Sequence, residues 1–185
     1  MTQAINMPRV EIVGSFLPPE ELENALNEKI RGNLSDADYH AVEDRVIDRL
    51  IDREIEAGLQ IVTDGEMRRK SWDRDFWEGF EGMSRERIDT GNIYQDDILR
   101  HDLLRFSGKI EFNPAHPFFD KFVHMQELTA GRAEVRQTIP SPGQLYMRMF
   151  LSSNGDPGKF YATPDTLIDD IVEAYSRTIA EFYRL

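Results

Sequence analysis

Ile61-Val-Thr-Asp-Gly-Glu-Met-Arg-Arg-Lys-Ser-Trp72 decides how this chain is read. It begins as a short apolar run, turns at Asp64-Gly65, and then delivers Glu66, Arg68, Arg69 and Trp72 in quick succession. Such a run is a buried strand ending at a turn, with polar groups fanned out beyond its C-terminal end. α/β proteins place their active sites there. Val10-Glu-Ile-Val-Gly-Ser-Phe16 repeats the design, with a strand expected over residues 9–16. Val10, Ile12 and Val13 are β-branched, and Gly14 permits a close backbone approach or an unusual dihedral. The two strand ends are expected to face one pocket.

Working outward, Pro19-Glu-Glu opens a short helix through about Ile30, with proline and acidic residues in its first turn. Ser35 is the N-cap of a second helix, with Asp38 three residues on in a weaker capping box. Tyr39, Val42, Val46, Leu50, Ile51 and Ile55 give that helix its apolar stripe, and Gly58 ends it. Leu59 to Thr63 is then a strand, so strand, helix and strand form a β-α-β unit. Ser71 to Phe80 is read as a helix carrying Trp72, Phe76, Trp77 and Phe80 on one apolar face. In the excursion over residues 82–113, Ile88–Tyr94 and Lys109–Phe112 are read as strands and Asp96–Leu104 as a short helix. Phe118 to Thr129 is a helix ended by Gly131, and Ala133 to Ile139 is the third parallel strand. Gln144 to Leu151 is a helix, and Ser152 to Gly158 is a loop. Thr163, with Pro164 at the first helical position, caps a last helix striped by Leu167, Ile168, Ile171, Val172, Tyr175, Ile179 and Phe182.

Composition narrows the function classes. At 185 residues one domain, 1–185, is the prior, and 40% hydrophobic with 30% charged residues describes a globular chain. A net charge of −12 repels phosphates and argues against non-specific nucleic-acid binding. With no cysteine, disulfides, thiolate zinc sites and cysteine nucleophiles are excluded within these residues, and a cytoplasmic setting fits. No apolar run approaches the ~20 residues of a membrane span. His40, His101, His116 and His124 form no recognised metal-ligand spacing, so surface or packing roles are expected for all four. No phosphate loop or Gly-x-Ser-x-Gly elbow appears.

In this order and at compatible spacing, the stretches resemble the cobalamin-independent methionine synthase family. The resemblance lies in Val13-Gly-Ser-Phe16 with its following prolines, Gly32-Asn-Leu-Ser35, and Gly58-Leu-Gln-Ile-Val-Thr-Asp-Gly-Glu66. Arg68-Arg69, Trp72, Phe80-Glu-Gly82 and Ile139-Pro-Ser-Pro142 complete it. It implies a (β/α)8 barrel of ~250 residues, of which this chain would be the N-terminal portion: about three parallel barrel strands, covering helices and an irregular excursion. It implies methyl transfer from a methyltetrahydrofolate to a homocysteine-like thiol, with zinc activating the thiol. Ser15 with Gly14 would lie at the substrate's carboxylate, and Glu66, following Asp64, would bind its ammonium group. The family's zinc ligands come from later strands, so no metal ligand and no catalytic residue are expected in these residues. Together with a last helix that leads to no strand, this favours truncation or assembly, by self-association or with a second chain.

Simpler roles stand beside these. Glu66 would also suit a plain polar turn, Ser15 a turn cap, and Asp64 a bond to the turn backbone. Arg68 and Arg69 would serve a folate tail, a substrate carboxylate or surface ion pairs. Trp72 and Trp77 would stack on a pterin or pack in a core, and Gln144 and Tyr146 would line the pocket beyond the third strand. Two other functions remain open: a small-ligand-binding or assembly subunit without zinc, and an alkyltransferase acting on another thiol.

Overall fold

Helices α1 (Glu20–Ile30) and α2 (Asp36–Glu56) form where their end signals stand. Ser35 Oγ accepts the Asp38 amide at 3.1 Å, the N-cap bond its position announces. The computed structural model describes residues 12–94, 97–151 and 157–185. After α2 come β1 (Ile61–Val62), α3 (Arg74–Trp77), β2 (Glu81–Tyr94), β3 (Asp97–Glu111), α4 (Pro117–Thr129), β4 (Glu134–Val135), α5 (Pro142–Leu151) and α6 (Pro164–Arg184). A 3-10 turn at Pro157–Lys159 precedes α6. The described residues form a mixed α/β arrangement with one parallel and one antiparallel strand pair. The chain divides into two compact units interleaved in sequence: residues 1–70 with 121–138, and residues 71–120 with 139–185.

In the first unit β1 and β4 pair in parallel, Ile61 with Glu134 and Val62 with Val135. Glu134 N donates to Gln60 O and Arg136 N to Val62 O, each at 2.9 Å. Ile47 and Ile51 of α2 and Met125 of α4 bury Val62, with Phe122, Leu128 and Val135 around them. A further cluster of Leu22, Tyr39 and Val46 joins α1 to α2. The buried face of α2 is Tyr39, Glu43, Val46, Ile47, Ile51 and Glu54. It is rotated from the expected stripe and includes two carboxylates.

In the second unit β2 and β3 form a long antiparallel hairpin, with Ser84 opposite Arg105 and Arg85 opposite Leu104. A bulge at Gly82 brings the chains together. Its φ is +76°, and an added Cβ would sit 1.8 Å from Lys109 O, so only glycine fits. Phe76, Trp77, Phe80, Phe118 and Tyr175 build the core, with Leu145 and Met149 of α5 and Leu167 and Ile171 of α6. Trp77 Nε1 donates to Tyr175 Oη at 2.8 Å, and Tyr175 donates in turn to Pro140 O at 2.9 Å.

Four expectations change. Residues 12–16 join no strand ladder, and the remainder of the strand expected over 9–16 lies outside the described residues. The described residues therefore show two parallel strands, not three. Asp96–Leu104 is not a helix, because residues from Asp97 onward belong to β3. Its apolar spacing suits either form, and the partner strand decides. The helix read over 71–80 shrinks to Arg74–Trp77, N-capped by Asp73, and leaves Trp72 half-exposed. Trp72 is thus not part of the apolar face that Phe76, Trp77 and Phe80 share.

Candidate functional site

The turn beyond β1 is built by its own side chains. Thr63 Oγ1 accepts the Gly65 amide at 3.1 Å, and Asp64 Oδ1 accepts the Glu66 amide at 3.0 Å. These Asx- and ST-type bonds hold two successive residues in the left-handed region, Gly65 at φ +61° and Glu66 at φ +56°. A Cβ on Gly65 would press on Leu50 Cδ2 at 2.7 Å. Glu66 has no such freedom, and a non-glycine residue held there marks a constrained position. Phe16 N donates to Gly65 O at 3.0 Å, fastening the 12–16 segment against the turn.

That fastening brings the two expected strand ends together. Ser15 Oγ donates to Glu66 Oε2 at 2.9 Å across 51 residues of sequence. Glu66 Oε1 accepts from Thr138 Oγ1 at 2.9 Å and from Arg69 Nη1 at 3.3 Å. Arg69 Nη2 donates to Thr138 O and Oγ1, both at 2.7 Å. The Glu66 side chain is 10% exposed and that of Arg69 4%, while Ser15 lies open to solvent. The arrangement is a largely buried carboxylate with an exposed hydroxyl on one oxygen and a cation and a second hydroxyl on the other.

Arg68 turns the other way, donating to Asp44 at 2.5 Å and Glu43 at 3.4 Å on α2. Glu43 also meets His40 Nδ1 at 2.7 Å. Both arginines are therefore engaged in ion pairs, Arg68 with α2 and Arg69 with Glu66. Gly14 has φ +91° with open space around it, so it supplies the dihedral and not a close approach. Asp64 is buried, and its carboxylate serves the turn backbone.

Trp72 and Gln144 belong to the other unit. Gln144 Oε1 accepts from Ser141 N at 3.1 Å, and Gln144 N donates to Ser141 Oγ at 3.2 Å. This reciprocal capping box starts α5. His116 is buried among Phe76, Phe80, Phe118 and Phe119. Its Nδ1 accepts from Phe118 N and its Nε2 donates to Phe76 O, so it packs.

Two residues that bond to this turn from elsewhere in the chain are absent from the sequence-based site. Thr138 carries no local signal, because only folding brings it to Glu66. Glu54 had one: a carboxylate at a core position of α2, three residues after Ile51. It is buried, and its Oε2 accepts the Thr63 amide at 3.0 Å while its Oε1 has no hydrogen-bond partner. Burial pushes its pKa up, the Asp64 charge adds to this, and the Thr63 bond only partly opposes it. Among the described residues no group of three or more His, Asp or Glu could hold a metal ion, so they offer no site that fits the zinc the resemblance implies. Among them no helix is long and apolar enough to cross a membrane.

No protein-family profile matches the chain. It is 30% identical over 175 residues to the uncharacterised Bacillus subtilis protein YxjH and 29% to YxjG, covering 95% of this chain and 45% of each relative. A Listeria monocytogenes structure, provisionally named a vitamin-B12-independent methionine synthase, superposes with TM-score 0.71 at 27% identity. The match covers 93% of this chain and 47% of that one. The relationship is methionine-synthase-like. A B12-independent methionine synthase from Shewanella, solved with selenomethionine, shares the fold at TM-score 0.55 and 16% identity, over 82% of this chain and 41% of its own. The chain thus spans just under half the length of these relatives.

Proposed function

We propose that this chain is the amino-acid-holding part of a methionine-synthase-like methyltransferase, folded as a portion of its barrel. Glu66 would take the ammonium group of a homocysteine-like thiol, and Ser15 with the Gly14 backbone would lie at its carboxylate. The observation that carries this reading is the Ser15–Glu66 bond at 2.9 Å, which joins two segments 51 residues apart in sequence. Glu66 is also held in a backbone conformation that a plain surface turn does not require. A carboxylate in such a partly dry site pairs strongly with an ammonium group. The reaction itself would move a methyl group from a methyltetrahydrofolate to the thiolate sulfur. Arg68, engaged by Glu43 and Asp44, supports a structural role over a folate contact.

Calorimetric titration of the full chain with L-homocysteine and L-methionine tests the reading. Glu66→Gln should weaken binding by roughly 1.5–3 kcal/mol, the range of one charge-assisted bond. Unchanged affinity in that variant, or no binding by the wild type, would overturn it.

A further inference from the structure

We infer that Thr138 is a positioning residue for Glu66, and that with Arg69 it fixes which carboxylate oxygen a ligand meets. The inference rests on the amino-acid-binding reading above. Thr138 Oγ1 has one proton to give and lone pairs to receive, and it uses both. It accepts from Arg69 Nη2 at 2.7 Å and donates to Glu66 Oε1 at 2.9 Å. Arg69 is anchored separately by Thr138 O at 2.7 Å and reaches the same Oε1 at 3.3 Å. Oε1 is therefore held by two donors. Oε2 has only the exposed Ser15 hydroxyl as its described partner.

A Glu side chain has three rotatable bonds, and a left-handed backbone does not by itself choose among their rotamers. The Thr138 hydroxyl supplies that choice. It also sets the form of recognition. One oxygen with one open lone-pair direction suits a primary ammonium, which makes a single-point contact. A planar guanidinium needs both oxygens for its fork. Thr138 stands on the segment that follows β4, so the parallel pairing of β1 and β4 delivers it to Glu66.

Thr138→Val keeps the shape and removes the hydroxyl; Thr138→Ser keeps the hydroxyl. In the full chain, Thr138→Val should bind L-homocysteine about tenfold more weakly than the wild type. Thr138→Ser should recover most of that loss. The Glu66 side-chain carboxyl ¹³C resonance of the ligand-free chain should shift in the Val variant and return in the Ser variant. Arg69→Lys, which keeps the charge but loses the planar fork, should also shift it and gives a second route if Thr138→Val fails to fold. Wild-type affinity in Thr138→Val, with Glu66→Gln still impaired, would overturn the positioning role alone. Wild-type affinity in both variants would overturn the amino-acid reading. If the wild type binds no amino acid, that reading falls, and the resonance alone decides: no shift in Thr138→Val or Arg69→Lys overturns the role of Thr138.

Discussion

Two buried carboxylates, Glu54 in the first unit and Asp73 in the second, are 3% and 1% exposed, yet burial acts on them with opposite outcomes. Asp73 is pushed up by burial, but the Ser71 hydroxyl, Arg148 and the Arg74 amide outweigh this and hold it below the usual carboxylate range. Glu54 has one amide, a bare oxygen and a like-charged neighbour, and its pKa rises. Around Asp73 the second unit buries rings whose polar handles are satisfied internally, from Trp77 through Tyr175 to Pro140. Around Glu54 the first unit buries Thr63 and Asp64 beneath a strained turn. The lesson is that depth does not decide whether a buried acid stabilises; its partners do. The first unit carries the electrostatic cost, and it also carries the candidate site.

The largest effect expected from this contrast lies in the ring cluster. Phe76 is fully buried and meets Phe80 and Phe118 edge-to-face and His116 and Tyr175 at a tilt, at centroid distances of 4.7–5.8 Å. Phe76→Ala should cost about 4 kcal/mol in urea unfolding followed by circular dichroism. A loss below ~1 kcal/mol would show that the rings are not the stabilising element.

Asp73→Ala comes next. It removes the N-cap of α3 and the partner of Arg148, and should cost about 2 kcal/mol at neutral pH, most of it from the cap. The half-exposed Arg148 keeps the ion-pair share small. Because the folded-state pKa is lowered, this stability is present above the unfolded value of about 3.9 and is lost as pH falls through the folded one. The gap in melting temperature between wild type and variant should therefore close on acidification. A gap independent of pH would assign the effect to the cap geometry alone.

Local chemistry was legible in the sequence, and long-range geometry only in part. Ser35, Thr163 and Pro164 act within a single turn, and each caps the helix it announces. Ser141-Pro-Gly-Gln144 announces α5 just as clearly, yet Gln144 was read as a pocket residue when its bonds close a capping box. The hairpin hid its third quarter, because Asp97–Leu104 has apolar residues at spacings that serve either periodicity until a partner strand is present. The two strand ends carrying Ser15 and Glu66 are expected to face one pocket, and a hydrogen bond joins the two side chains. Thr138 was invisible because a threonine beyond a strand has no pattern of its own. Glu43 and Glu54 stand outside the apolar stripe expected for α2; the buried face is rotated enough to include both.

The smallest effect, and the one that sharpens the contrast most, belongs to Glu54→Gln. The amide keeps an acceptor for the Thr63 N–H and removes the buried charge beside Asp64. The sign follows from the raised folded-state pKa. Below the unfolded value of about 4.3 the acid is protonated in both states, and wild type and variant should melt together. As pH rises through the folded value, the wild type must hold a carboxylate that burial and Asp64 both disfavour, so it loses stability that the variant keeps. Glu54→Gln should then be the more stable protein at neutral and alkaline pH, the reverse of Asp73→Ala, in thermal melts across that range. If the variant is instead less stable at alkaline pH, Glu54 has a cationic partner in solution. The two acids would then be held in the same way, and the difference between the units would rest on the rings alone.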